Sequence, residues 1–139
     1  MAKHTTYFMS EDARAQAEFY IQSLGGKINS ITTYGELPDA PEELKDKVIN
    51  MSFKAAGVNF YISDSDYDQL RHGNAVHQSL EFATESEARE AFANLSEGGK
   101  VTHPLTPAFW GALFGQLEDK YGISWMITTE PVADTTQQA

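Results

Sequence analysis

A chain of 139 residues can bury a sizeable core as one domain, and having no cysteine it can hold no disulfide, no thiolate zinc site and no cysteine nucleophile. Twenty acidic against ten basic residues give a net charge of −10, which leaves no basic footprint for nucleic acid and disfavours anionic membrane surfaces. No apolar run is long enough to span a bilayer, and the opening MAKHTTYFMSEDA lacks the apolar segment of a signal peptide, so the expectation is a cytoplasmic protein.

Thr5 to Met9 reads as a short strand. Ser10 is a suitable N-cap, with Glu11 and Asp12 in the first turn, and the helix runs to Leu24 on the apolar stripe Ala13, Ala17, Tyr20 or Ile21, and Leu24. Gly25-Gly26 stops it, and Lys27 to Thr33 alternates as a strand. Gly35 to Lys47 is an acidic loop with Pro38 and Pro41, long enough to serve as a lid or mobile flap. Val48 to Ala55 and Val58 to Ser63 form a hairpin about the Ala56-Gly57 turn, and Asp64 to Asn74 is a polar linker. The order then recurs. His77 to Phe82 is a strand, Thr84 and Glu87 make a capping box, and Ala88, Ala91, Phe92 and Leu95 give a helix stripe. Gly98-Gly99 stops that helix, Lys100 to Leu105 is a strand, and a hairpin follows. Its arms are Trp110 to Leu117 and Ile123 to Thr128, about a turn from Asp119 to Gly122.

The recurrence is an internal repeat. Gly25-Gly26-Lys27-Ile28 lines up with Gly98-Gly99-Lys100-Val101; carried back without gaps, Phe19 meets Phe92 and His4 meets His77. At a shorter offset Gly57 to Ile62 meets Gly122 to Ile127. The fold class is therefore α+β, one domain over 1–139 built of two βαβββ modules, 4–66 and 75–130, with a disordered tail over 131–139. Each sheet carries one helix on one face, and two curved mixed sheets facing each other would enclose a cavity for a small molecule.

The stretches AEFYIQSLGG (Ala17 to Gly26), YGELP (Tyr34 to Pro38), FYISDSD (Phe60 to Asp66) and FWGALFGQLEDKYGISWMI (Phe109 to Ile127) resemble the vicinal oxygen chelate superfamily, which includes glyoxalase I, bleomycin-resistance proteins and extradiol dioxygenases. Within it the chain is similar to the PhnB-like, YjdN-type branch labelled 3-demethylubiquinone-9 3-methyltransferase-like. No glycine-rich loop after a strand is present to hold S-adenosylmethionine, so that label does not guide the function. The resemblance implies a divalent metal held by a His, Gln or Glu on the first strand of each module and a Glu on the last. It would place His77, with His4 as repeat mate, among the ligands, and Met126 and Tyr61 at the closing positions. A thioether and a phenol are poor ligands for such an ion, so half of the expected site is erased.

Taken as residues, His4 also reads as an exposed terminal side chain, and His77 as a strand-edge histidine satisfied by a hydrogen bond. Glu81 points away from the face of Leu80 and Phe82. Asp64, Asp66 and Asp119 read as turn residues bonded to local backbone. Glu118 is unphased. The aromatic residues carry the remaining site signal: Tyr7, Tyr61, His77, Trp110, Phe114 and Met126 would line a cavity for a flat or apolar ligand, while core or dimer seam is an equal reading. Alternation puts Trp110, Ala112 and Phe114 on one face.

Three functions follow. The first is binding of a small organic molecule without a metal cofactor. The second is a metal-dependent lyase, isomerase or dioxygenase with His77 and His4 as ligands. The third is a non-catalytic dimeric module, its cavity packed shut by Trp110, Phe114 and Trp125. A homodimer is expected, with no nucleic-acid and no membrane partner.

Overall fold

The computed structural model describes residues 1–65 and 69–131, and the chain divides into two units, Met1–Arg71 and a second that begins at His72. The tail expected after residue 130 lies, beyond Pro131, outside the described residues, as does Asp66.

In the first unit, β1 (Tyr7–Ser10) leads to α1 (Ala13–Leu24), then β2 (Gly26–Thr33), β3 (Val48–Ala55) and β4 (Val58–Asp64). The sheet runs β1-β4-β3-β2, with β1 parallel to β4 and the other pairs antiparallel. The second unit repeats this with β5 (Gln78–Phe82), α2 (Glu85–Ser96), β6 (Lys100–Pro107), β7 (Leu113–Glu118) and β8 (Ser124–Thr129), in the order β5-β8-β7-β6. Two βαβββ modules are therefore present, each an open mixed sheet with one helix.

Each helix packs the stripe its sequence spaces out. On α1, Ala13, Gln16, Ala17, Tyr20 and Ser23 are buried. The Tyr20 ring lies 5.4 Å from Phe8 and 6.2 Å from Phe53, and the buried Gln16 amide donates to its hydroxyl at 2.9 Å. On α2 the buried residues are Ala88, Ala91, Phe92 and Leu95. A Cβ on Gly115 would meet the Phe92 ring at 2.7 Å, which phases β7: Leu113, Gly115 and Leu117 face the helix, and Phe114, Gln116 and Glu118 face away.

Three expectations are corrected. Ser10 is not the cap of α1. It is the last residue of β1, paired with Asp64, and its hydroxyl accepts from Asp12 N at 3.0 Å. Asp12 caps instead, accepting from Ala15 N at 3.1 Å. The repeat is out of frame by one residue before the glycine pairs. The caps Asp12 and Thr84 correspond, and with them the buried Tyr20 and Phe92 and the buried Ser23 and Leu95. The paired residues Tyr7 and Tyr61 correspond to Ser79 and Met126. His77 therefore matches Thr5, and His4 matches Val76. Glu97, added between α2 and Gly98, restores the glycine match. Third, Trp110 belongs to no strand. Gly111 N donates to Ala108 O at 3.0 Å and Ala108 N to Ala112 O at 2.7 Å, closing a turn with Gly111 at φ 86°, and alternation cannot run through it. The acidic loop is tied at its neck, where Tyr34 N donates to Lys47 O and Gly35 N to Lys45 O, both at 3.0 Å.

Asp64 is not a locally bonded turn residue either. Its Oδ1 accepts from Ala13 N at 2.8 Å and its Oδ2 from Val48 N at 2.7 Å, clasping the start of α1 and the start of β3 to the end of β4. The hydroxyl of Thr129 makes the strand half of this clasp at the end of β8, accepting from Leu113 N at 3.0 Å. Asp64→Asn turns one acceptor into a donor facing an N–H, and we expect a loss of about 1–2 kcal/mol by denaturant titration. A change below about 0.3 kcal/mol would show that the clasp contributes nothing beyond water's own hydrogen bonds.

Candidate functional site

The side of each sheet that its helix does not cover holds most of the sequence-predicted site residues. In the first unit, Phe8, Met51, Phe53, Phe60 and Ile62 are buried, and the alternate positions face the other way. Tyr7 and Tyr61, opposite each other in the parallel pair, stack there at 6.0 Å with 28° between ring planes. They are 46% and 37% exposed. The Tyr7 hydroxyl accepts from the Asn50 amide at 3.3 Å, and the Asn29 amide bridges Ser52 Oγ at 3.2 Å and Asn59 Oδ1 at 3.1 Å. The surface is a row of hydroxyls and amides beside two rings.

In the second unit the same side carries Ser79, Glu81, Phe114, Gln116, Glu118, Met126 and Thr128, since Leu80, Leu117, Trp125 and Ile127 are buried on the other. Met126 pairs with Ser79 and Gln116, and Phe114 with Thr128. Trp110, reaching in from its turn, sets its ring 5.7 Å from Phe114 at 71°, and His103 packs edge-on to Phe114 at 5.4 Å. Trp125 does not join them. It is fully buried on the helix side, its Nε1 donating to Asp119 Oδ2 at 2.8 Å, so the expected cluster of Trp110, Phe114 and Trp125 does not form. Glu81 and Glu118 do point to the uncovered side. The alternation of β5 placed Glu81 away from Leu80, but nothing in the sequence said that this side was the one without a helix.

His77 precedes β5. Its Nε2 lies 3.1 Å from the Asn74 carbonyl oxygen, which only a protonated nitrogen can satisfy, and its Nδ1 is buried without a hydrogen-bond partner. His4 is exposed ahead of β1. His103 Nδ1 lies 2.8 Å from Pro104 O. A cleft of about 310 Å³ in the first unit, beside the start of α1, is lined by Arg14, Lys47 and five carboxylates and holds none of the predicted residues.

The family model described as 3-demethylubiquinone-9 3-methyltransferase matches residues 2–128. The chain belongs to this family. It is 27% identical over 120 residues to Protein YjdN of Escherichia coli (strain K12), covering 78% of this chain and 82% of that protein. A solved PhnB protein from Bacillus cereus superposes with a TM-score of 0.76 at 28% identity, covering 93% of this chain and all of that one. A glyoxalase/bleomycin resistance protein/dioxygenase from Alicyclobacillus acidocaldarius, at 15% identity and TM-score 0.59 over 99% and 96% of the two chains, shares the fold.

The resemblance read in the sequence implies a divalent metal, and the ligand positions it names do not fit one. Among the described residues no three His, Asp or Glu side chains gather to hold an ion. The last strands offer Tyr61 and Met126, a phenol and a thioether. The Nε2 of His77 is turned to a carbonyl.

Proposed function

We propose that this family member binds small organic molecules on the side of either sheet that its helix leaves uncovered, at Tyr7 and Tyr61 on the first or at Trp110, Phe114 and Met126 on the second, without the metal ion that the sequence resemblance implies. One observation carries the reading: large aromatic side chains, Tyr7, Tyr61 and Trp110, stand 37–46% exposed on or beside sheet faces that no helix covers. Leaving such rings in water forgoes the gain from burying them, and a flat ligand recovers it. The protein acts in the cytoplasm as a homodimer in this reading.

The test is elemental analysis of untagged protein purified without chelator, followed by thermal shifts with zinc, nickel, manganese and iron(II) and with a panel of flat organic compounds. The expected result is no stoichiometric metal, no shift with any ion, and a saturable shift with at least one compound that is lost in Tyr61→Ala or Trp110→Ala. The buried, unpartnered Nδ1 of His77 favours the metal-dependent alternative, because it retains a lone pair. A stoichiometric ion that disappears in His77→Ala would establish that alternative and remove ours.

A further inference from the structure

We propose that the uncovered side of the second sheet selects an organic cation, a quaternary or tertiary ammonium group, seated in the corner between Trp110 and Phe114. This rests on the reading above and names the ligand class for one of its two faces.

The ring geometry is the first support. Trp110 meets Phe114 at 71° and Phe109 meets Trp110 at 88°, with centroids 5.7 and 4.9 Å apart. Steeply angled rings turn their electron-rich faces in different directions and form a corner. A compact cation within about 6 Å of two such faces is attracted by both quadrupoles, and tryptophan attracts it most. Trp110 is 44% exposed, so one side of that corner is open. The first sheet differs: Tyr7 and Tyr61 lie within 28° of parallel, which suits a flat ring laid over them.

Charge is the second support. Phe114 pairs with Thr128, and Thr128 with Glu81, so a carboxylate stands in the same cross-strand row. Two strand spacings put it roughly 10 Å from Phe114. Glu118 faces the same side on β7. The outward positions of β5, β7 and β8 (Ser79, Glu81, Phe114, Gln116, Glu118, Met126 and Thr128) include no lysine or arginine, while Lys100 on the edge strand β6 pairs with Glu118 and offsets its charge, so Glu81 is the carboxylate that counts here. The outward positions of β1, β3 and β4 show the reverse, with Lys54 and no carboxylate. The chain as a whole, at −10, draws cations toward it.

The test titrates the full chain with choline and with its uncharged isostere, in which carbon replaces the ammonium nitrogen, and follows both indole N–H signals by NMR. Trp110→Phe assigns them. Choline is expected to shift the Trp110 signal saturably, with the isostere binding about fivefold or more weakly. Trp110→Leu, a change in an exposed turn, should abolish choline binding when it is followed by titration calorimetry, which needs no indole at position 110. Glu81→Gln should raise the dissociation constant about twofold at low salt and not at high salt. Equal affinity for the two compounds, or choline binding that survives Trp110→Leu, would overturn the proposal. Binding of neutral compounds alone would also overturn it, while leaving the broader reading in place. Absence of any small-molecule binding at either sheet would remove both.

Discussion

Asp119→Ala is expected to lower the stability of the chain by about 3–5 kcal/mol, the largest loss from any single polar truncation we foresee. Asp119 is only 3% exposed. Its Oδ1 accepts from Tyr121 N at 2.8 Å and Ile123 N at 3.1 Å, and its Oδ2 accepts from Trp125 Nε1 at 2.8 Å. Alanine would leave three donors without that acceptor. Trp125 has no exposed surface, so water cannot replace the lost bond. Hydrogen bonds to a charged acceptor contribute about 1.5–3 kcal/mol each, and three sharing one carboxylate fall short of their sum. Urea denaturation of Asp119→Ala, Trp125→Phe and the double variant separates the parts. The indole bond should appear as a coupling of about 1.5–3 kcal/mol, and additive losses would show that this bond contributes nothing. The consequence reaches the ligand face, because Trp125 fixes the depth of β8 and the next residue, Met126, looks out on the other side.

The sequence made the βαβββ repeat legible because its signals are local: an apolar stripe, a double glycine, a tight turn. Its frame was not legible. Matching Gly25-Gly26 to Gly98-Gly99 without a gap imposed the wrong phase on everything upstream, because the additional Glu97 lies between helix and glycines and leaves no trace in composition. The pairing of His4 with His77 came from that phase. Trp110 was misplaced for a related reason: strand alternation was extended through a turn that only the hydrogen bonds of Ala108 reveal. Asp119 was readable as a turn residue, since its backbone partners are two and four residues away, but its bond to Trp125 depends on a side-chain rotamer. Asp64 shows the limit most plainly. Its partners lie 51 and 16 residues away, a distance over which residue type alone carries no pairing information. The aromatic residues of the candidate site were found by type. Which of them share a side was decided by the contact of Phe92 with Gly115, a tertiary fact.

The second large effect falls on a glycine that the sequence explained only in part. Gly26 reads as half of a helix stop, yet the positive φ of 79° belongs to Gly25, whose N–H caps α1 by donating to Ile21 O. Gly26 is already the first residue of β2, paired with Ala55. A Cβ built on it would lie 1.7 Å from the Lys54 carbonyl oxygen and 3.0 Å from Ala55 Cα. Both are backbone atoms of the neighbouring strand, so no side chain can swing aside. Gly26→Ala must therefore push the start of β2 off β3, and with it the bond from Ala56 N to Gly25 O. We expect a loss of about 3 kcal/mol, at the upper end of overpacking costs, because the strain falls on a ladder rather than on a rotamer. Amide exchange should quicken at Ile28 and Ala56 while β1 and β4 keep their protection, since opening is confined to the edge strand. The repeat gives an internal control. Gly99 stands in the equivalent place, with an added Cβ 2.2 Å from Glu118 O and 2.9 Å from Asp119 Cα. Gly99→Ala should thus cost a similar amount and also couple to Asp119→Ala, whose Cα the added Cβ would meet. If Gly26→Ala unfolds within about 0.5 kcal/mol of the parent chain, the close approach of β2 and β3 is not what requires glycine there.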